Sequence, residues 1–320
     1  MMKKKLTIGI FAIFLLINFI LSIWWSVEPD LIRDEILLPP EQEKIIGYAT
    51  ITSAIFVAET LLDKPGGFLS NDVMPPSVFM DNMPAFELGA LDMLRDLSLI
   101  LRRDLTRSRS QSAENQHLQE AHTSFNIDRK KWILPSAEGA YRTGIEELKV
   151  FRKQLMTQDA QAQFYARADN LTNYLSEVSK RLGSTSSRLS ASVGREQLNI
   201  DFSDMPSKEG MKNDEKLIIK TSWWLIDDVF YEARGQTWAL LNFLRAFEHD
   251  FVLVLEKKNA VVNFKQIIRE LEMTQEPIFS PMILNGSGFG IVTNHSLVMG
   301  NYISRANAAI IDLNILLKQG

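Results

Sequence analysis

Apolar positions recur along this chain with a helical rhythm, broken by short polar or proline-rich stretches. The first run covers residues 6–27, from Leu6 to Val27, and is 22 residues long without a charge. That matches the ~20 residues a helix needs to cross a bilayer. Residues 28–40 read as a linker ending in Pro39-Pro40, a pair that favours extended backbone. From Glu41 onward, Ile45, Tyr48, Ile51, Ile55, Phe56 and Leu62 fall near 3.6 spacing and predict a helix. Asp63-Lys-Pro-Gly-Gly67 stops it. Residues 65–84 hold four prolines and two glycines and predict a loop. A second helix starts near Pro84, a residue tolerated in the first turn, with Leu88, Leu91, Leu94, Leu97 and Leu101 in one row.

The polar stretch 108–125 predicts a flexible loop, and Ser136 can cap a third helix alone. Residues 141–193 keep a helical period. An unbroken rod there would be ~75 Å long, so the reading is two antiparallel helices joined near 157–160. A second polar loop is expected over 199–216. Residues 222–256 predict a long aromatic helix with Trp223, Trp224, Phe230, Tyr231, Trp238, Phe243, Phe247 and Phe251. Helices over 260–274 and 297–317 flank an irregular stretch, 277–296. No strand run is convincing and no long repeat occurs. The expected fold is all-α: an N-terminal transmembrane helix, then an antiparallel multi-helix domain. Its divisions are 1–27 (cytoplasmic stub and anchor), 28–40 (linker) and 41–320 (helical domain).

Composition narrows the function classes. There is no cysteine, which excludes disulfides, thiolate metal sites and thiol catalysis. Lys and Arg total 35 against 39 Asp and Glu, so the chain lacks the basic footprint of a nucleic-acid binder. Lys3, Lys4 and Lys5 precede the apolar run and predict a cytoplasmic N-terminus, with Trp24 and Trp25 at the far headgroup layer. A cleaved signal peptide would have a shorter apolar region and small residues at its end. Here the end reads Ser22-Ile-Trp-Trp-Ser-Val27, so the reading is a retained anchor whose partner is the lipid bilayer.

Two stretches concentrate candidate chemistry. On the aromatic helix, Asp227, Asp228, Tyr231, Glu232 and Arg234 form a dense ionisable set, and Asp228 and Glu232 share a face at i, i+4. Two buried carboxylates can do acid–base work or hold a cation; the simpler reading pairs them with arginines. The second stretch is Asn285, Gly286, Ser287, Gly288, Asn294 and His295. Its Gly286-Ser-Gly-Phe-Gly290 core completes neither a nucleophile elbow, since Asn285 stands where glycine is needed, nor a dinucleotide fingerprint, since residue 291 is Ile. It reads as a tight turn needing positive φ, with an anion cradle as the functional alternative. His117 and His122 lie five residues apart, about 140° around a helix, and cannot share a metal from one face. These two stretches are the candidate binding residues. No catalytic residue, metal or cofactor is assigned.

Several segments match a known set. They are Glu59-Thr-Leu-Leu-Asp-Lys-Pro-Gly-Gly67, Ser70-Asn-Asp72, Met80-Asp-Asn-Met-Pro84, Ser108-Arg-Ser-Gln-Ser112 and Gln163-Phe-Tyr-Ala-Arg-Ala-Asp-Asn170. Further on come Asp227-Asp-Val-Phe-Tyr-Glu-Ala-Arg-Gly235, Ile267-Ile-Arg-Glu-Leu-Glu272, Ser280-Pro-Met-Ile-Leu-Asn-Gly-Ser-Gly-Phe-Gly290 and Asn294-His-Ser-Leu-Val298. In these the chain resembles a proteobacterial inner-membrane family catalogued as domain of unknown function 2333. The resemblance implies a bacterial, single-anchor protein without an assigned reaction, and supplies no catalytic residues; with the N-terminus cytoplasmic, as the lysines predict, the domain is expected in the periplasm. It also makes the sequons at Asn170, Asn285 and Asn294 chance matches. The function expected is an envelope interaction or scaffold protein with an envelope protein as partner. A periplasmic domain binding a small molecule, lipid or glycan is the alternative, and a hydrolase a weaker one.

Overall fold

The computed structural model describes residues 2–107, 114–157, 162–193, 195–197, 217–280, 282–287 and 291–319. Helix α1 (Met2–Trp25) is exposed along its apolar length except near its end, where Asn18, Leu21, Ser22 and Trp25 are half-buried. Among the described residues, its Lys4–Trp25 stretch is the one helix long and apolar enough to cross a membrane. The domain that follows is helical: α2 (Asp34–Leu37), α3 (Tyr48–Asp63), α4 (Asn82–Ile100), α5 (Gln116–Phe125), α6 (Ala137–Met156) and α7 (Ala168–Ser190). Then come α8 (Ile226–Asp250), α9 (Val252–Lys257), α10 (Val261–Glu272) and α11 (His295–Lys318).

Helices α4 and α8 form the centre and touch backbone to backbone. A Cβ on Gly89 would lie 2.0 Å from the Glu232 carbonyl oxygen, and one on Gly235 would lie 2.0 Å from that of Phe86. Side chains there would force the helices apart. Helices α3, α5 and α6 pack on one flank, and α7, α10 and α11 on the other. Phe86, Trp238, Phe243, Phe247, Phe251 and Tyr174 fill the space between them and are fully buried. The aromatic helix is thus mainly the core of the domain.

Several expectations need correction. The helix expected from Glu41 begins at Tyr48 instead, because Gly47 is left-handed (φ 90°) and breaks the helical path. Asp250 fixes that start by accepting from the amides of Gly47 (2.7 Å) and Thr50 (2.8 Å). The polar stretch 108–125 contains α5, capped by Asn115, whose side chain accepts from His117 N and Leu118 N. Residues 108–113, with the Ser108–Ser112 segment, lie outside the described residues. Helices α6 and α7 do not form a hairpin: α6 packs on α3 and α5, and α7 on α11. Most of their junction, and the loop expected over 199–216, also fall outside the described residues. An antiparallel pair of three-residue strands, Arg195–Gln197 (β1) and Leu217–Ile219 (β2), was not foreseen. The long helix over 222–256 is two helices, separated at Phe251, and its Trp223 and Trp224 precede it in an exposed turn.

The stretch read as a linker is fastened to the domain. Ile32 and Leu37 are fully buried. Glu28 pairs with Arg234, the Trp238 indole donates to Asp30 O (3.2 Å), and Ile32 N donates to the Asn242 side chain (2.8 Å). Residues 28–32 therefore run along α8 in the same direction as the helix.

Candidate functional site

The first turns of α8 carry five of the candidate residues, and they point to different places. Asp227 and Asp228 lie in the first turn, where the helix dipole favours negative charge. Asp228 is only half-buried, yet its Oδ1 has no hydrogen-bond partner among the described residues. Burial raises its carboxyl above the usual carboxylate range, and the neighbouring Asp81, Asp227 and Glu232 add to this. Tyr231 is half-buried, and burial followed by the nearby Glu28 raises its phenol.

Glu232, one turn further along α8, takes a two-pronged bond from Arg188 of α7 (2.5 and 2.7 Å). It lines a polar groove of about 370 Å³ between α4, α7 and α8. Arg181 enters the same groove and binds Asp96 (2.5 and 2.9 Å) and Asp92 (3.2 Å). Burial raises the Asp92 carboxyl, with Arg181 and Arg95 opposing. The sequence reading missed Asp92, Asp96, Arg181 and Arg188. Their spacings, i, i+4 on α4 and i, i+7 on α7, mark one face each but do not say that the two faces meet.

Arg234 is nearly fully buried and donates from all three of its nitrogens. Its Nε donates to both Glu28 oxygens (2.7 and 2.6 Å), and its terminal nitrogens donate to the carbonyls of Thr274 (2.9 Å), Gln275 (3.2 Å) and Glu276 (2.9 Å). It ties three segments together: the chain just past α1, the middle of α8 and the turn after α10.

The second candidate stretch is a narrow hairpin-like turn. Gly286 N donates to Thr293 O (3.0 Å), and His295 N donates to Leu284 O (2.9 Å). Asn294 closes it: its Nδ2 donates to Gly286 O (2.6 Å) while its Oδ1 caps α11 at Leu297 N (2.8 Å). Asn285 reaches across to Ser192 O (2.9 Å). Gly286 is required by close approach and not by positive φ, since a Cβ there would lie 1.9 Å from Val292 O. Ser287 is exposed, and Gly288 lies outside the described residues. His295 Nδ1 accepts from Leu284 N (3.0 Å), which leaves the proton of the neutral ring on Nε2. Burial lowers its pKa and favours that neutral form.

The two stretches meet in one place. A cavity of about 190 Å³ is lined by Phe230 and Arg234 of α8, by Phe279, and by His295, Met299 and Tyr302 of α11. Asp227, Asp228 and Glu232 do not line it, and neither do Asn285, Gly286, Ser287 or Asn294. The candidate residues that line a depression are therefore divided between a polar groove and a mainly apolar cavity. Chemically, the cavity offers apolar walls, a neutral imidazole and a tyrosine; the groove offers paired charges. Among the described residues, no group of three His, Asp or Glu is placed to hold a metal.

No curated protein and no solved structure matches this chain. A family model does, over residues 1–320, and its family is described as an uncharacterized protein conserved in bacteria. The segments that signalled the resemblance include Arg234 and the Asn294 turn, and the family model also covers α1. The chain belongs to the bacterial family catalogued as domain of unknown function 2333.

Proposed function

We infer that this is a single-pass inner-membrane protein whose helical domain lies in the periplasm and serves as an interaction platform for another envelope protein. One observation carries the reading: the chain past α1 is clamped along α8 by Glu28–Arg234, Asp30–Trp238 and Ile32–Asn242. A swinging tether would leave these groups in water. A domain held in fixed orientation on its anchor suits a surface that must meet a partner in the same membrane. The lysines at 3–5 support the orientation through the positive-inside rule. The test is affinity purification of the full-length protein from native membranes in mild detergent, with mass spectrometry of what accompanies it. A reproducible stoichiometric envelope protein is expected. A clean single species overturns the platform reading.

A second reading rests on the cavity at Phe230, Arg234 and His295. At about 190 Å³ it is below the usual ~300–1,000 Å³ of ligand pockets, so it suits the end of a lipid chain better than a whole metabolite. Native mass spectrometry of the same sample would reveal a retained lipid mass, and Met299→Trp, which fills the cavity, would abolish it.

A further inference from the structure

The loops around the exit of α1 carry large apolar side chains that are mostly exposed. Trp25 closes the span, and its ring lies against Gly66, where an added Cβ would be 2.7 Å away. The half-buried positions of the span, Asn18, Leu21, Ser22 and Trp25, fall on one helix face. The loop after α3 is therefore beside the span. Glu87 fastens that loop through Leu69 N and Ser70 N (2.8 Å each). Arg129 donates to Ser70 Oγ (3.1 Å) and Asn71 donates to Lys131 O (3.2 Å), which brings the 128–135 loop to the same side. Arg234 binds Glu28 and the carbonyls of 274–276 together, placing the segment after α10 there too. The start of α8 joins them, since Asp228 senses both Asp81 and Arg129.

Each of these four segments exposes large apolar groups: Met74 and Phe79, Trp132 and Leu134, Trp224, and Phe279. Leu134 is 93% exposed and Phe279 97%. Scattered apolar residues on a surface are ordinary, but a cluster on one side marks an interaction surface. Lys130, Lys131 and Lys220 are exposed next to the tryptophans. Tryptophan with nearby lysine is the pairing that anchors protein at the headgroup layer: the ring sits between tails and water, and the ammonium meets lipid phosphate.

We propose that this face rests in the interfacial layer of the bilayer that α1 crosses, with the tips at Phe79, Trp132 to Leu134, Trp224 and Phe279 inserted among the lipids. The bilayer is the occupant because the span leaves the domain through this face, so lipid headgroups must come within about a helical turn of Trp25. The proposal rests on α1 being a retained span, and it adds that the domain itself is a second, peripheral membrane contact.

The absence of native cysteine allows a direct test. Full-length protein carrying Leu134→Cys, Trp224→Cys or Phe279→Cys is labelled with an environment-sensitive fluorophore. It is then placed in nanodiscs of mixed phosphatidylethanolamine and phosphatidylglycerol. All three sites are exposed, so folding is retained. Ile13→Cys reports the span. Lys153→Cys, about 24 Å along α6 from its first turn, reports the distant end. Nitroxide on a shallow acyl carbon should quench all three tips several-fold and leave Lys153→Cys unchanged. An unquenched Ile13→Cys label would overturn the span itself. Quenching at Ile13→Cys with none at the tips would overturn this proposal alone. Tips that stay open to aqueous iodide in nanodiscs but are shielded in native membranes would also overturn it, in favour of a protein covering.

Discussion

At the scale of single residues, the acids set the stability of the domain. Asp250 sits under the start of α3, accepting three hydrogen bonds, two of them from Thr50. Burial pushes its carboxyl from 3.8 up to about 6. The folded state thus holds this proton more tightly than the unfolded chain. The stabilisation is full below pH 3.8 and is lost as pH rises through about 6. Thermal melts should show greater stability at pH 5 than at pH 7, with about 1 kcal/mol of the difference due to this group. Asp250→Asn should remove that part of the slope. Glu87 and Lys64 are an ion pair with nearly no exposure on either side (2.6 Å). Burial raises the Glu87 carboxyl, with Lys64 the largest opposing influence. Lys64→Met leaves the carboxylate buried without its cation and should cost about 3–5 kcal/mol in urea unfolding. Arg142→Met, which breaks the exposed pair with Asp63, should cost less than about 1 kcal/mol.

At the scale of elements, the contact of α4 with α8 is the least forgiving. Gly235→Ala would set a methyl against the Phe86 carbonyl and should destabilise by about 3 kcal/mol or more. Gly183→Ala on α7 meets nothing nearer than the Asn307 amide at 3.6 Å and should raise the melting point, by up to ~1 kcal/mol of added stability. The rows of Leu88 to Leu101 and of Phe230 to Phe251 made α4 and α8 readable from sequence, because long buried helices repeat their apolar residues many times. Helix α5 escaped notice because, of the four residues it buries, only Leu118, Ala121 and Phe125 are apolar and the fourth is Ser124. The same limit governs the candidate site. Asp228 and Glu232 were readable as one helix face. Arg188, 44 positions from Glu232, was not, because spacing describes an element and not what lies across from it. The role of Arg234 was hidden in the same way.

At the scale of the molecule, Arg234 ties the residues just past α1 to α8 and to the turn after α10. Arg234→Met should free residues 28–40 while α8 and its neighbours stay folded. Limited proteolysis of the full-length protein should then cut within that stretch at least tenfold faster, with the helical content unchanged by circular dichroism. Unchanged cleavage would mean that the buried Ile32 and Leu37 hold the strip without the ion pair.

The strip along α8 also bears on the order in which the protein can form. Glu28, Asp30, Ile32 and Gly47 find their partners 206, 208, 210 and 203 positions further along the chain. Such distant pairs close late, because the intervening chain must be in hand before the loop can be shut. In the topology proposed above, a nascent chain held in the membrane by α1 would wait for α8 to be made and delivered across the bilayer before the residues just past α1 could settle. Until then Ile32 and Leu37, buried in the finished domain, would lack their cover, and in that topology the bilayer surface would be the nearest apolar phase to them.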